Sequence, residues 1–344
     1  MTQVGLIGCG DIAESVHLDA LSRVSGVRVV ALAEPDATRR EAAARRVPGA
    51  TPYASAGALL ADPAVEAVVI ATPPATHADL AVAAFEAGKH VYLEKPIATR
   101  RADAERVVEA CRSAGTVGAV GFNYRFHPLV EAAQSQVARV GALVAVRTVF
   151  TSAARPLPDW KTRRATGGGV LLDLGSHHAD LVRHLTGQAF VSVWTDVQDE
   201  ADAEGVTAAV TGRLDGGATV QMMVSLRATD EDRVEIIGRD GRLRYDRLRS
   251  ASPVVEAPAF AYGRPAQIRR VARAVRDGVR RTLATPGDAS FVRSFAAFAE
   301  ACAGRRPAAL ATLEDGCRSL AFVEAAAASA RTGSPVTVGP RSAD

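Results

Sequence analysis

The stretch VGLIGCGDIA (residues 4–13) constrains the fold more than any other part of the chain. A short apolar run ends at Ile7, a Gly8-Cys9-Gly10 turn follows, and a helical pattern runs to about Ser25. VRVVALA (27–33) then reads as a second buried strand that ends at Glu34. A strand, a glycine turn, a helix and a second strand closing on an acidic residue form a dinucleotide-binding pattern. Gly8 permits the tight turn, and Gly10 lets the main chain approach a pyrophosphate. Ala13 replaces the third glycine and still allows close helix packing. Asp11 and Ile12 open the helix, whose free N–H groups favour phosphate. Glu34 is placed to accept hydrogen bonds from ribose hydroxyls, and its charge opposes a 2′-phosphate, so NAD is expected over NADP. Arg39 and Arg40 keep NADP possible, or else form a solvated helix face beside Glu41.

The alternation of strand and helix continues. VEAVVIA (65–71) leads into Thr72-Pro73-Pro74-Ala75-Thr76-His77 and a helix from about 78 to 87, which Gly88 stops. HVYL (90–93) ends at Glu94-Lys95-Pro96, a helix covers 100–114, and VGAVGF (117–122) leads to Asn123. Ligands of open α/β sheets sit at the carboxyl ends of strands. Thr72, Pro73, His77, Glu94, Lys95 and Asn123 are therefore expected at the cofactor crevice. Thr76 is alternatively a helix N-cap, and His77 alternatively packs at the helix start. A chain of 344 residues exceeds what one core usually supports. The expected division is 1–122 for cofactor binding and 123–344 for substrate binding and oligomerisation, with the C-terminal segment free to pack back on the first domain.

GGGVLLDLGSHHADLVRHLTG (167–187) carries the chemistry of the second half. Its apolar positions have helical spacing, so Asp173 and His177, four apart, share a face. His178 is turned away by about 100°. Asp180 lies near His177 and is expected to satisfy local hydrogen bonds or bound the pocket. The three glycines permit close approach to something, with nicotinamide or substrate as the expectation. Tyr124 and Arg125 follow the last strand of the first domain. Arg125 is either a substrate anchor or a structural ion pair, and Trp160 is either a pocket wall or a packed loop residue.

GCGDIA, ATPPATH, LEKPIA, GFNYRFHP and the 167–187 segment together resemble the glucose-fructose oxidoreductase / inositol dehydrogenase (Gfo/Idh/MocA) family, in order and over almost the whole chain. The resemblance implies an α/β protein: an N-terminal Rossmann domain and a C-terminal α/β domain with a large, mostly antiparallel open sheet. It implies NAD- or NADP-dependent hydride transfer at a secondary alcohol or ketone of a sugar, inositol or aminocyclitol-type substrate. Lys95, Asp173 and His177 correspond to the usual catalytic trio; Lys95 and His177 both remain open as the main acid/base. Tyr124, Arg125, Trp160, Asp173 and His177 are the substrate-binding candidates. His178 is the fallback for His177, and His184 stands where relatives often have tryptophan, which suggests packing. A homodimer or homotetramer through the C-terminal sheet is implied. An NAD-dependent glycosidase using transient redox, or a non-catalytic cofactor sensor, are the alternatives.

FVSVWTDV, GVTAAVTGRL, ATVQMMVSL, VEIIG and RLRYD read as strands, some joined by turns at Asp215-Gly216-Gly217 and Asp240-Gly241. Residues 264–281 spell a basic amphipathic helix, better read as a solvated face than as a membrane or nucleic-acid contact. The net charge of +3 is too small to argue for either partner. No run of eighteen apolar residues appears, and the N-terminus does not read as a signal peptide. Four scattered cysteines show no metal-type spacing, so no metal site is expected and a reducing cytoplasm is.

Overall fold

A computed structural model describes residues 1–256 and 289–339. Six strands build the first sheet: β1 (Thr2–Ile7), β2 (Val27–Ala33), β3 (Thr51–Tyr53), β4 (Ala67–Ile70), β5 (His90–Leu93) and β6 (Gly118–Val120). All pair in parallel in the order β3-β2-β1-β4-β5-β6. These strands are near-continuous apolar runs because helices cover both faces. The order reverses between β1 and β4, and ligands of such sheets bind at that switch point.

The second sheet has eight strands: β7 (Leu143–Thr151), β8 (Phe190–Glu200), β9 (Ala203–Leu214), β10 (Thr219–Ser225), β11 (Glu231–Gly238), β12 (Arg242–Asp246), β13 (Val254–Glu256) and β14 (Val336–Thr337). Their order is β13-β12-β11-β7-β10-β9-β8-β14. Only β7 and β10 pair in parallel; the other pairs are antiparallel. The turns at 215–217 and 240–241 join β9 to β10 and β11 to β12. β7 alternates buried and exposed positions yet was not among the expected strands; it occupies the middle of the sheet.

The chain returns to the first sheet near its end. Helix Ser290–Cys302 places Phe295 and Phe298 in a core with Val4, Leu6 and Tyr92. Tyr92 Oη lies 2.9 Å from Ser294 Oγ. Helix Leu313–Thr332 starts with a capping box of Thr312 and Asp315. The main-chain N–H of Val120 donates to Ala311 O at 3.0 Å, which ties this helix to the edge of the first sheet. The basic segment 264–281 lies outside the described residues.

Candidate active site

The glycine loop leaves β1 and enters a helical stretch over 11–22, whose first full turn, Ala13–His17, is π-wound. Gly8 has φ +92°, and a Cβ there would lie 2.7 Å from Ala71 O. Glycine is thus demanded by packing on the end of β4, not only by the turn. At Gly10 a Cβ would meet nothing within 4 Å, so the main chain is open on its outer side. Asp11 is exposed, and Ile12 is 38% exposed although apolar. Glu34 faces this loop. Its carboxylate accepts from Cys9 N at 2.8 Å and from Asp36 N at 3.1 Å. Burial, with Glu34 beside it, pushes the Cys9 thiol up to about 11. Arg40 donates to the main-chain oxygens of Glu34 and Pro35. That engagement weakens its claim on a 2′-phosphate. An open cradle at a helix start, with a carboxylate at the end of β2, fits a dinucleotide with a free ribose.

At the next strand ends, Thr72 and exposed Pro73 begin the loop after β4. The Thr76 hydroxyl contacts Thr72 Oγ1 at 2.8 Å and Pro73 O at 2.9 Å, and makes no helix-cap bond. His77 is 1% exposed, with Nδ1 2.7 Å from Pro96 O and Nε2 2.8 Å from Thr72 O. It braces the loop after β4 against the loop after β5. Glu94 lies 2.9 Å from Nε2 of the buried His17, and the Lys95–Pro96 peptide is cis.

Lys95 reaches from the end of β5 to the 167–187 segment. Its Nζ donates to Asp173 Oδ1 at 2.8 Å and to Asp173 O at 3.0 Å. Asp173 sits in a π-turn, Leu171–Gly175, that runs into helix Ser176–Thr186. Its second oxygen, Oδ2, accepts from Lys161 Nζ at 2.9 Å. Burial pushes the Asp173 carboxyl up, but Lys95 and then Lys161 overrule it and hold it well below the usual carboxylate range.

His177 is 7% exposed, and its Nδ1 has no hydrogen-bond partner among the described residues. Ring packing fixes it instead. Tyr124 stacks on it at 4.4 Å, and Phe122 and Phe150 approach edge-on at 6.0 and 6.3 Å. Arg247 lies 3.8 Å from the Tyr124 ring centroid. Its Nε and Nη2 each lie 2.8 Å from Asp232 Oδ2. Burial, then the Lys95 charge, press the His177 pKa well below 6.5; Asp173 opposes this, and Arg247 and His178 add to it. The imidazole is therefore neutral at neutral pH, the form a proton acceptor needs. His178 points elsewhere, stacked on Phe150 at 5.0 Å with Nε2 3.3 Å from Asp232 Oδ1.

Several expectations are corrected. Arg125 is 5% exposed and bound to Asp180 at 2.5 and 2.8 Å and to Asp315 at 3.1 Å, so it is a structural ion pair and not a substrate anchor. Asn123 is 2% exposed and donates to Ser290 Oγ at 2.8 Å, which ties helix Ser290–Cys302 to the site. The His77 side chain is likewise frame, since it is 1% exposed and both ring nitrogens face main-chain oxygens. Tyr124 has His177 on one side of its ring and Arg247 on another, so it supports the histidine. Glycines 167 and 168 are held against neighbouring protein atoms. A Cβ at Gly168 would lie 2.2 Å from Lys161 O, and one at Gly167 2.9 Å from Pro74 Cβ. The turn seats the loop that carries Trp160 and Lys161; Lys161 Nζ lies 5.3 Å from the Trp160 ring centroid. Lys161, Arg247 and Asp232 were missed by sequence reasoning. Only Lys161 carried a signal, as a basic residue close before the GGG turn.

Comparison with known proteins bears on the family and the fold. Residues 2–122 match the model of an oxidoreductase family with an NAD-binding Rossmann fold, and residues 132–244 match a GFO/IDH/MocA C-terminal domain. The chain belongs to the Gfo/Idh/MocA family. It is an NAD(P)-dependent oxidoreductase. A D-xylose 1-dehydrogenase (NADP(+)) from Haloferax volcanii is 31% identical over 74% of this chain and 78% of its own length. A dTDP-3,4-didehydro-2,6-dideoxy-alpha-D-glucose 3-reductase from Actinomadura kijaniata is 28% identical over 96% of both chains. Among solved structures, GenD2 from gentamicin A biosynthesis, in complex with NAD, is 26% identical with a TM-score of 0.83, covering 98% of this chain and 97% of its own. No helix among the described residues is long and apolar enough to cross a membrane. Among the described residues no group of three or more His, Cys, Asp or Glu side chains gathers as metal ligands do.

Proposed function

We propose that the protein moves hydride between NAD and a secondary alcohol or ketone of a sugar, inositol or aminocyclitol-type substrate, with Lys95, Asp173 and His177 as its catalytic group. The observation that carries this reading is the 2.8 Å contact of Lys95 with Asp173, which joins the cofactor crevice to the substrate half beside a neutral imidazole. Gly8, Gly10, Asp11, Ile12, Thr72, Pro73 and Glu34 hold the dinucleotide, which supplies the hydride acceptor when bound. His177 takes the proton of the substrate hydroxyl, or returns it in reduction. Lys95 donates a hydrogen bond to the same oxygen and steadies its developing charge. Asp173 holds the Lys95 ammonium in place. Trp160 borders the substrate beside Lys161.

The division near residue 122, with 289–339 returning to the first sheet, is part of this reading. So are a homodimer or homotetramer through the large sheet and residence in the cytoplasm. Val144, Trp194 and Met223 are 50, 43 and 46% exposed on that sheet, and all four cysteines are free thiols. The test is a screen of sugars, inositols and aminosugars with NAD and then NADP, following the absorbance of the reduced nicotinamide. A substrate-dependent rise that Lys95→Met and His177→Gln abolish is expected. Turnover by either variant within a few-fold of wild type removes the catalytic assignment, and glycoside hydrolysis without net NADH replaces the reaction.

A further inference from the structure

Of the 41 lysine and arginine residues only three are lysine: Lys89, Lys95 and Lys161. Arginine is therefore this chain's default cation, even on exposed loops. Two of the three lysines grip the same carboxylate, Lys95 on Asp173 Oδ1 and Lys161 on Oδ2. The third, Lys89, is remote and donates to the main-chain oxygens of Asp62 and Val65. A lysine at 161 offers a compact point charge; a planar arginine fork would take both oxygens of Asp173 in competition with Lys95. The position of Lys161 is also built. Gly168 is the residue that lets the main chain of Lys161 lie close, since any Cβ there would strike Lys161 O.

The donor count in the site is lopsided. An ammonium has three N–H groups. Lys95 directs two at Asp173, and Lys161 directs one. Three N–H donors thus remain for a ligand, two on Lys161 and one on Lys95, and each side-chain oxygen of Asp173 already accepts one ammonium. The charge is lopsided too. At Asp173, Lys95 and Lys161 outweigh its carboxylate by one positive charge, Glu94 is turned to His17 and to the Lys95 main chain, His177 is neutral, and Arg247 behind Tyr124 is balanced by Asp232. The Lys161 side chain is 22% exposed.

We propose that Lys161 is a substrate-recognition residue: its remaining N–H groups seat an anionic oxygen group, a carboxylate or a phosphate, carried by the sugar-like substrate, while the last N–H of Lys95 stays on the reacting oxygen. This rests on the substrate pocket lying at Asp173 and His177, as argued above, and narrows the substrate to acidic sugars over amino sugars. A cationic substituent at this place would meet two ammonium groups, and the carboxylate between them, Asp173, is already shared by both.

The small number of lysines makes the test direct. Protein labelled with 13C-lysine and loaded with NADH gives three side-chain signals, assigned with Lys89→Arg and Lys161→Met. The probes are D-glucuronate, D-glucose 6-phosphate, D-glucose and D-glucosamine. At least one of the two anionic probes should shift the Lys161 and Lys95 signals saturably and leave Lys89 still; which of them does so tells carboxylate from phosphate. D-Glucosamine should bind more weakly than D-glucose. Lys161→Met should weaken the anionic probe by about tenfold more than it weakens D-glucose, the loss of one charge-assisted hydrogen bond. The inference is overturned if neither anionic probe moves Lys161. It is equally overturned if D-glucosamine binds as tightly as the anions, or if Lys161→Met binds them like wild type. Binding is read without turnover, so failure of the dehydrogenase reading would show separately as no NADH with any substrate.

Discussion

Replacing Asp173 by Asn removes the charge on which two ammonium groups converge. Lys95 and Lys161 lie 2.8 and 2.9 Å from its two oxygens. A charge-assisted hydrogen bond contributes about 1.5–3 kcal/mol, and breaking a buried ion pair costs about 3–5 kcal/mol. The lysine side chains keep 16 and 22% exposure, so water screens part of the loss. Asparagine also keeps one acceptor oxygen. A destabilisation of about 3 kcal/mol at neutral pH is therefore expected. The pH dependence has a definite sign. The folded-state carboxyl titrates well below its unfolded value of about 3.9, so its contribution is complete above that value. On acidification the unfolded chain takes the proton first, and the contribution fades as pH falls towards the folded value. The gap between wild type and Asp173→Asn should stay level from about pH 8 to about pH 5 and shrink below about pH 4. Urea unfolding followed by tryptophan fluorescence across that range reads it. A gap under about 1 kcal/mol, or one that widens in acid, refutes the clamp.

Three further outcomes follow from the same geometry. His177→Gln should remove nearly all turnover, whereas His178→Gln should retain much of it and lose stability through Asp232; the reverse ranking in steady-state kinetics moves the acid/base role by one residue. Glu34→Ala should narrow the preference for NAD over NADP in kcat/KM, and an unchanged ratio excludes a ribose contact. Arg125→Met leaves Asp180, 1% exposed, without its main partner. It should cost about 3–5 kcal/mol in unfolding with little change in turnover per folded molecule, and a selective rise in KM would return Arg125 to the substrate.

Much of this protein is written locally. The first sheet follows from apolar runs that alternate with helical spacing, and Glu34 falls at the end of β2 because strand length and turn geometry leave it nowhere else. Asp173 and His177 share a side of their helix because backbone periodicity puts residues four apart together. His178 points away for the same reason. These are properties of near neighbours, set by backbone periodicity, which the π-turn at Leu171–Gly175 adjusts locally. The remaining partners are set by long-range packing. Lys95 meets Asp173 across 78 positions. Asp232 reaches His178 across 54, because β11 pairs with β7. Arg125 gained Asp180 and Asp315 and became frame, although its sequence context suited a substrate anchor equally well. The GGG turn signalled a close approach, but only the packed loop identified Lys161 as what approaches. A charge pattern along a chain names the ions; sheet register and loop seating decide which of them meet.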